Sequence, residues 1–234
     1  MNSAILFDLD NTLYEYGPCN EAALIEVHGE LSEVVPISLD DFRSRHDAAR
    51  EGLAARLQGQ AASHNRVLFF KRIVEELVPE MAVELSLKLY DLYWHTFMDE
   101  MRLAPSAPDV LATLARDHKL AIVSNHTTAV QLRKIEKLGL TPYFSAVITS
   151  EEVGVEKPHA RVFEAALTAV GVDGTNALMV GDDFEADIKG AQAAGLRTIM
   201  STEFASSSSS TAGADAVVDS LGDVPGVVAG LLNP

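Results

Sequence analysis

Residues 4–7, Ala-Ile-Leu-Phe, are apolar at consecutive positions and run directly into two acids one residue apart, Asp8 and Asp10. An unbroken apolar run of strand length is the pattern of a strand covered on both faces, and such strands belong to parallel sheets under helices. After Pro105 and Pro108, strand-like runs alternate with helical ones. LAIVSN (120–125) leads to a helix ending at Leu138, FSAVITS (144–150) to a helix through about Val170, and ALMVGDD (177–183) to a helix ending at Ala194. RTIM (197–200), ADAVV (214–218) and a last helix follow. This alternation predicts an α/β fold built on a parallel sheet.

Between Asn20 and Met101 the pattern changes. Apolar residues recur at helical spacing, as in Leu68, Ile73, Leu77 and then Leu85, Leu89, Leu92, and Ser38-Leu39-Asp40-Asp41 and Pro79-Glu80 read as helix starts. The chain therefore divides into a core of residues 1–14 and 105–234 and an inserted, all-helical cap of residues 15–104. The polar run 205–213 reads as a surface loop without chemistry.

With 18 basic and 34 acidic residues the net charge is −16, which offers no basic field for nucleic acid or an anionic membrane surface. No stretch has the apolar length of a membrane helix, and the N-terminus lacks the basic region of a signal peptide. One cysteine, Cys19, cannot form an internal disulfide and fits a reducing cytoplasm. The expected partner is a small molecule bound by a monomer or homodimer.

In an open parallel sheet, ligands bind beyond the carboxyl ends of the strands. Here those ends carry Asp8, Asp10, Asn11 and Thr12; Ser124 and Asn125; Lys157 and Pro158; and Gly181, Asp182 and Asp183, with Asp187 one turn on. Asp8, Asp10, Asp182 and Asp187 brought together would repel by roughly 4 kcal/mol per close pair at an effective dielectric of 20. One lysine cannot offset that. A hard divalent cation such as Mg²⁺ can, on an all-oxygen ligand set. Such a site suits phosphoryl transfer, in which one acid attacks phosphorus and the other moves the proton.

The segments DLDNT after the first strand, SN after the second, KP before a helix, and GDDFEAD resemble the four motifs of the haloacid dehalogenase-like superfamily, in the same order. The resemblance implies a Rossmann-like three-layer core with a small helical cap inserted after the first motif. It also implies Mg²⁺-dependent hydrolysis of a small-molecule phosphomonoester through an aspartyl-phosphate. By this resemblance Asp8 is the nucleophile and a metal ligand, and Asp10 the general acid/base, with its backbone carbonyl on the metal. Thr12 steadies the loop, Ser124 and the region of Asn125 bind phosphoryl oxygens, and Lys157 pairs with nucleophile and phosphate. Asp182 ligates the metal, and Asp187 binds a metal water or orients Lys157.

Other residues read more plainly. Ser124-Asn125 also has the composition of a helix N-cap, and Asp183 that of a helix-start acid. His126 and His159 read as solvated loop histidines, and Tyr14, Tyr16, Tyr90, Tyr93 and Trp94 as packing residues. Arg43, Arg45, His46, His64 and Arg66 read either as a cap face toward an anionic substrate or as a solvated helix face. Cys19 has no base partner that would make it a nucleophile. Competing functions are a metal-independent 2-haloacid dehalogenase, against which Asp10 speaks, a phosphomutase, and a non-catalytic phospho-acceptor module.

Overall fold

The computed structural model describes residues 3–204 and 213–232. Of the serine-rich run 205–213, only Gly213 falls within them. The chain forms two compact units, one of residues Tyr16–Met101 and one of the residues up to Glu15 and from Arg102 onward.

The second of these units holds a six-stranded parallel sheet. Its strands are β1 (Ala4–Phe7), β2 (Lys119–Ser124), β3 (Phe144–Thr149), β4 (Ala177–Gly181), β5 (Arg197–Ser201) and β6 (Ala216–Val218), in the spatial order β3-β2-β1-β4-β5-β6. All of β1 and β4, and all of β2 except Lys119, is buried, so these strands have no solvent face on which polar residues could alternate. Phe7 pairs with Ile122 on one side and Val180 on the other, and the Asp8 N–H extends the ladder to the Val180 carbonyl at 2.9 Å. The chain runs outward from β1 to β3 on one side and from β4 to β6 on the other. The strand order thus reverses between β1 and β4, where a doubly wound sheet opens its crevice.

The residues from Tyr16 to Met101 fold as four α-helices, α1 (Tyr16–Ser32), α2 (Leu39–Arg56), α3 (Arg66–Leu77) and α4 (Ala82–Glu100), with short 3-10 helices at Ala61–His64 and Pro79–Met81. Ser38 caps α2 by accepting from the Asp41 N–H at 3.2 Å, as the sequence predicts. Phe42, Phe69, Phe70, Tyr93, Trp94 and Phe97 form an aromatic core, with Tyr93 and Trp94 edge to face at 5.0 Å. Two residues read as a cap face or solvated helix face are instead inside it. His46 lies on the α2 stripe of Phe42, Ala49 and Leu53 and is 4% exposed. Arg66, at the start of α3, is 8% exposed, stacks its guanidinium 5.1 Å over Phe69, and donates to the hydroxyls of Tyr16 and Tyr93 and the carbonyl of His64. Burial and then the Arg66 charge push the His46 pKa down to about 4.

On the sheet lie α5 (Ala107–Leu114), α6 (Thr128–Lys137), α7 (Ser150–Val153), α8 (Ala160–Val170), α9 (Gly190–Ala193) and α10 (Val224–Leu232), with a π-helical turn at Phe184–Lys189. Val162, Phe163 and Ala166 of α8 pack on Leu6, Val123 and Met179. Truncating Phe163 to alanine there would cost about 3–5 kcal/mol. α8 ends at Gly171 with φ of 65°, a left-handed turn that glycine adopts without a Cβ penalty. No helix among the described residues is long and apolar enough to cross a membrane.

Candidate active site

The loop after β1 is a tight turn. The Leu13 N–H bonds back to the Leu9 carbonyl at 3.1 Å, and Asn11 takes a φ of 59°, which asparagine tolerates better than most residues. This turn leaves the Asp8 side chain at the strand tip and swings Asp10 away from it. Thr12 is fully buried, and its hydroxyl lies 3.5 Å from Asp8 Oδ2 and 3.3 Å from Asp182 Oδ1, within reach of either carboxylate.

Lys157 comes in from the segment between α7 and α8. Its Nζ lies 2.6 Å from Asp8 Oδ1, 2.6 Å from Asp187 Oδ1 and 2.8 Å from the Val123 carbonyl. All three donor hydrogens of the ammonium are therefore matched in a site where Lys157 is 5% exposed. Asn125 holds this segment in place. Its amide oxygen accepts from the Lys157 N–H at 2.7 Å and its amide nitrogen donates to the Lys157 carbonyl at 3.0 Å. The sequence suggests Asn125 for phosphoryl oxygens, but both ends of its side chain are engaged by the backbone of Lys157. Nor do Ser124 and Asn125 cap the following helix, whose N-cap is Thr127.

The π-helical turn after β4 carries Asp187 back under the strand tip. Asp187 is 1% exposed, and its Oδ2 accepts from the Asp183 N–H at 3.1 Å. Asp183 itself caps the turn, accepting from the N–H groups of Glu185 and Ala186 at 2.9 Å. A π turn is a local distortion that proteins often place at functional sites. Here it brings a carboxylate to Lys157 that a regular helix start would aim elsewhere.

Asp8, Asp182 and Asp187 each bring a carboxylate oxygen within 4.8 Å of the other two. Burial pushes the Asp8 pKa up, Lys157 opposes it, and Asp187, Asp182 and Asp10 add to the rise. Burial and then Asp187 raise Asp182 to about 7. Asp187 is raised too, by burial against the pull of Lys157. Burial works against the charged Lys157, but Asp187 and then Asp8 outweigh it and hold its pKa above the ordinary value. A group of carboxylates that one ammonium leaves this reluctant to ionise fits a hard divalent cation, which oxygen donors favour.

The Asp10 carboxylate stands outside that trio. Lys134 Nζ lies 2.6 Å from its Oδ1, Gln131 Nε2 lies 3.1 Å from its Oδ2, and the Tyr14 hydroxyl donates to Oδ1. Burial disfavours the Asp10 charge, yet Lys134 and then His126 hold its pKa well below the usual carboxylate range. Gln131 Nε2 also donates to the Ser124 hydroxyl. Lys134, Gln131 and Tyr14 were not legible as site residues, and Tyr14, read as a packing residue, is also a hydrogen-bond donor. His126, read as solvated, is 4% exposed, and its Nδ1 accepts from the Thr127 N–H at 2.8 Å. His159 caps α8, accepting from the Arg161 N–H at 3.2 Å.

Comparison with known proteins identifies the family. A family model described as haloacid dehalogenase-like hydrolase matches residues 3–195. The chain is 40% identical over 240 residues to a ribulose-1,5-bisphosphate 5-phosphatase of Halopiger xanaduensis, covering 97% of this chain and 100% of that protein. Among solved structures, a HAD phosphatase from Thermococcus onnurineus superposes with a TM-score of 0.77 at 27% identity over 97% of this chain and 98% of the other. A 2-haloacid dehalogenase from Pseudomonas syringae gives a TM-score of 0.79 at 24% identity, over 98% and 99% of the two chains, and shares the fold. With the doubly wound sheet, the acids at the tips of β1 and β4 and the lysine between them, this chain belongs to the haloacid dehalogenase-like hydrolases.

Proposed function

We propose that this protein is a Mg²⁺-dependent phosphatase that hydrolyses a small phosphorylated sugar through an aspartyl-phosphate on Asp8. The observation that carries this reading is the placement of one buried ammonium, Lys157, at 2.6 Å from both Asp8 and Asp187, with Asp182 in the same cluster. The full-length likeness to a ribulose-1,5-bisphosphate 5-phosphatase supports a sugar phosphate as the substrate class. Cys19, buried in α1 and the one cysteine of the chain, supports a reducing cytoplasm as its setting.

Asp8 and Asp182, with the Asp10 backbone carbonyl and with Asp187 close by, would hold the metal. Bound there, Mg²⁺ supplies positive charge that lets a carboxylate approach a phosphate dianion. The chain's own residues do the rest. An oxygen of Asp8 attacks phosphorus as the bond to the sugar oxygen breaks, and Asp10 gives that oxygen its proton. Asp10 then takes a proton from the water that attacks the aspartyl-phosphate, which releases inorganic phosphate and restores Asp8. Lys157 orients Asp8 and offsets charge on the transferring group. The Ser124 hydroxyl, whose oxygen accepts from Gln131, would donate to a phosphoryl oxygen. In the free protein Asp10 is a carboxylate, its base form. An arriving phosphate dianion favours its protonated form, since a like charge nearby raises a carboxylate pKa.

The test is kcat/KM for Mg²⁺-loaded protein over a panel of phosphorylated sugars that includes ribulose 1,5-bisphosphate. Phosphate release that disappears in Asp8→Asn, with the fold retained by circular dichroism, supports the reading. Full activity in that variant removes Asp8 as nucleophile.

A further inference from the structure

Lys134 is wholly buried, and its ammonium reaches the carboxylate of Asp10, 124 residues away in the chain. It sits on α6 one turn after Gln131, so the two side chains share a face of the helix. Both oxygens of Asp10 are held from that face, Oδ1 by Lys134 and Oδ2 by Gln131, while Tyr14 donates to Oδ1 from the motif loop. The Lys134 ammonium also stands 5.8 Å from the centre of the Tyr14 ring. The two acids of the first motif are thus served by different buried lysines, Asp8 by Lys157 and Asp10 by Lys134. A buried ion pair is a poor source of net stability, because desolvation offsets most of its attraction. What three converging donors do secure is orientation, since they fix the plane of the carboxylate.

Resting on the reading of Asp10 as general acid/base, we propose that Lys134 is a positioning residue that, with Tyr14 and Gln131, locks the Asp10 carboxylate in the orientation from which it exchanges its proton. Asp10 must deliver a proton to the leaving oxygen and collect one from water at nearly the same place. A carboxylate free to rotate loses that alignment, and small misplacements of a reacting group are costly in rate.

The experiment compares kcat/KM for an alkyl phosphate with kcat/KM for p-nitrophenyl phosphate, using the full-length Mg²⁺-loaded protein, because kcat/KM ends with departure of the leaving group and leaves out the aspartyl-phosphate hydrolysis that both substrates share. An alkoxide needs a proton to leave, whereas p-nitrophenolate leaves without one. Lys134→Met is expected to lower kcat/KM on the alkyl phosphate about 100-fold. Its loss of kcat/KM on p-nitrophenyl phosphate is expected to be about tenfold or less. Asp10→Asn should give the same selective pattern, and combining it with Lys134→Met should add little further loss. Tyr14→Phe, which leaves the lysine in place, should show the same selectivity at about a tenfold loss and decides the matter if Lys134→Met does not fold. Equal losses on the two substrates, or fully additive losses in the double variant, overturn the proposal. A wild-type protein inactive on both substrates, or Asp10→Asn losing both equally, would instead overturn the reading on which it rests.

Discussion

A Cβ on Gly181 would lie 2.2 Å from Oδ2 of Asp187. The last residue of β4 therefore has no side chain because a carboxylate occupies the space where one would begin. Asp187 in turn holds Lys157 at 2.6 Å. Gly181→Ala must displace Asp187 and loosen Lys157 from Asp8. We expect kcat to fall at least about tenfold, since a misplacement of about 1 Å at a catalytic group can cost more than that. Steady-state kinetics together with circular dichroism test this, and wild-type kcat in a folded Gly181→Ala protein would contradict the contact.

Asn125 grips the backbone of Lys157 on both sides. If its work is to hold that segment, Asn125→Ala should lower kcat about 10–100-fold with little change in KM. It should also cost about 1–3 kcal/mol of stability, because two backbone groups lose their partners. A variant with unchanged kcat and a sharply raised KM would show that Asn125 binds the phosphoryl group.

The cluster of Asp8, Asp182 and Asp187 predicts dependence on a divalent cation. Phosphatase activity should vanish in EDTA and return with Mg²⁺, and Mg²⁺ should raise the melting temperature, as any ligand of the folded state does. Asp182→Asn should abolish the thermal shift. Full activity in chelator would refute the metal requirement.

His46 gives the fold a titration of its own. Burial and the Arg66 charge push its pKa down to about 4 from an ordinary 6.5, so the folded state favours the neutral ring. The sign follows from linkage. Its contribution is fully present above about pH 6.5 and is lost as pH falls through about 4, where the unfolded chain binds a proton that the folded chain resists. The difference in unfolding free energy between pH 7 and pH 4 should therefore be smaller in His46→Leu, by up to about 3 kcal/mol. Denaturant titrations at both pH values measure it, and identical pH dependence in the two proteins would exclude His46.

The strands were legible because covered strands leave an unbroken apolar run, as in residues 4–7 and 177–180. The acids at their tips were legible because charge at the end of such a run is costly without a function. Part of what escaped reading lies on helices. Lys134 and Gln131 look like surface residues of a polar helix, yet they fall in the buried stripe of Val130, Gln131, Lys134 and Ile135. Polar residues inside an apolar stripe were the available signal. His46 carried the same one, since Phe42, Ala49 and Leu53 share its face. The clamp of Asn125 on Lys157 left no trace, because it joins two loops 32 residues apart. The π turn that places Asp187 has no sequence spacing to betray it.

All six strands lie outside residues 16–101. Where the helical block is spliced in, the incoming and outgoing segments are stitched together by a bridge between Tyr14 and Leu103 and by the Ala104 N–H bonded to the Leu13 carbonyl at 2.9 Å. The scaffold's ladders thus close without any contribution from the insert. A change confined to that block therefore alters no residue that takes part in a strand pairing.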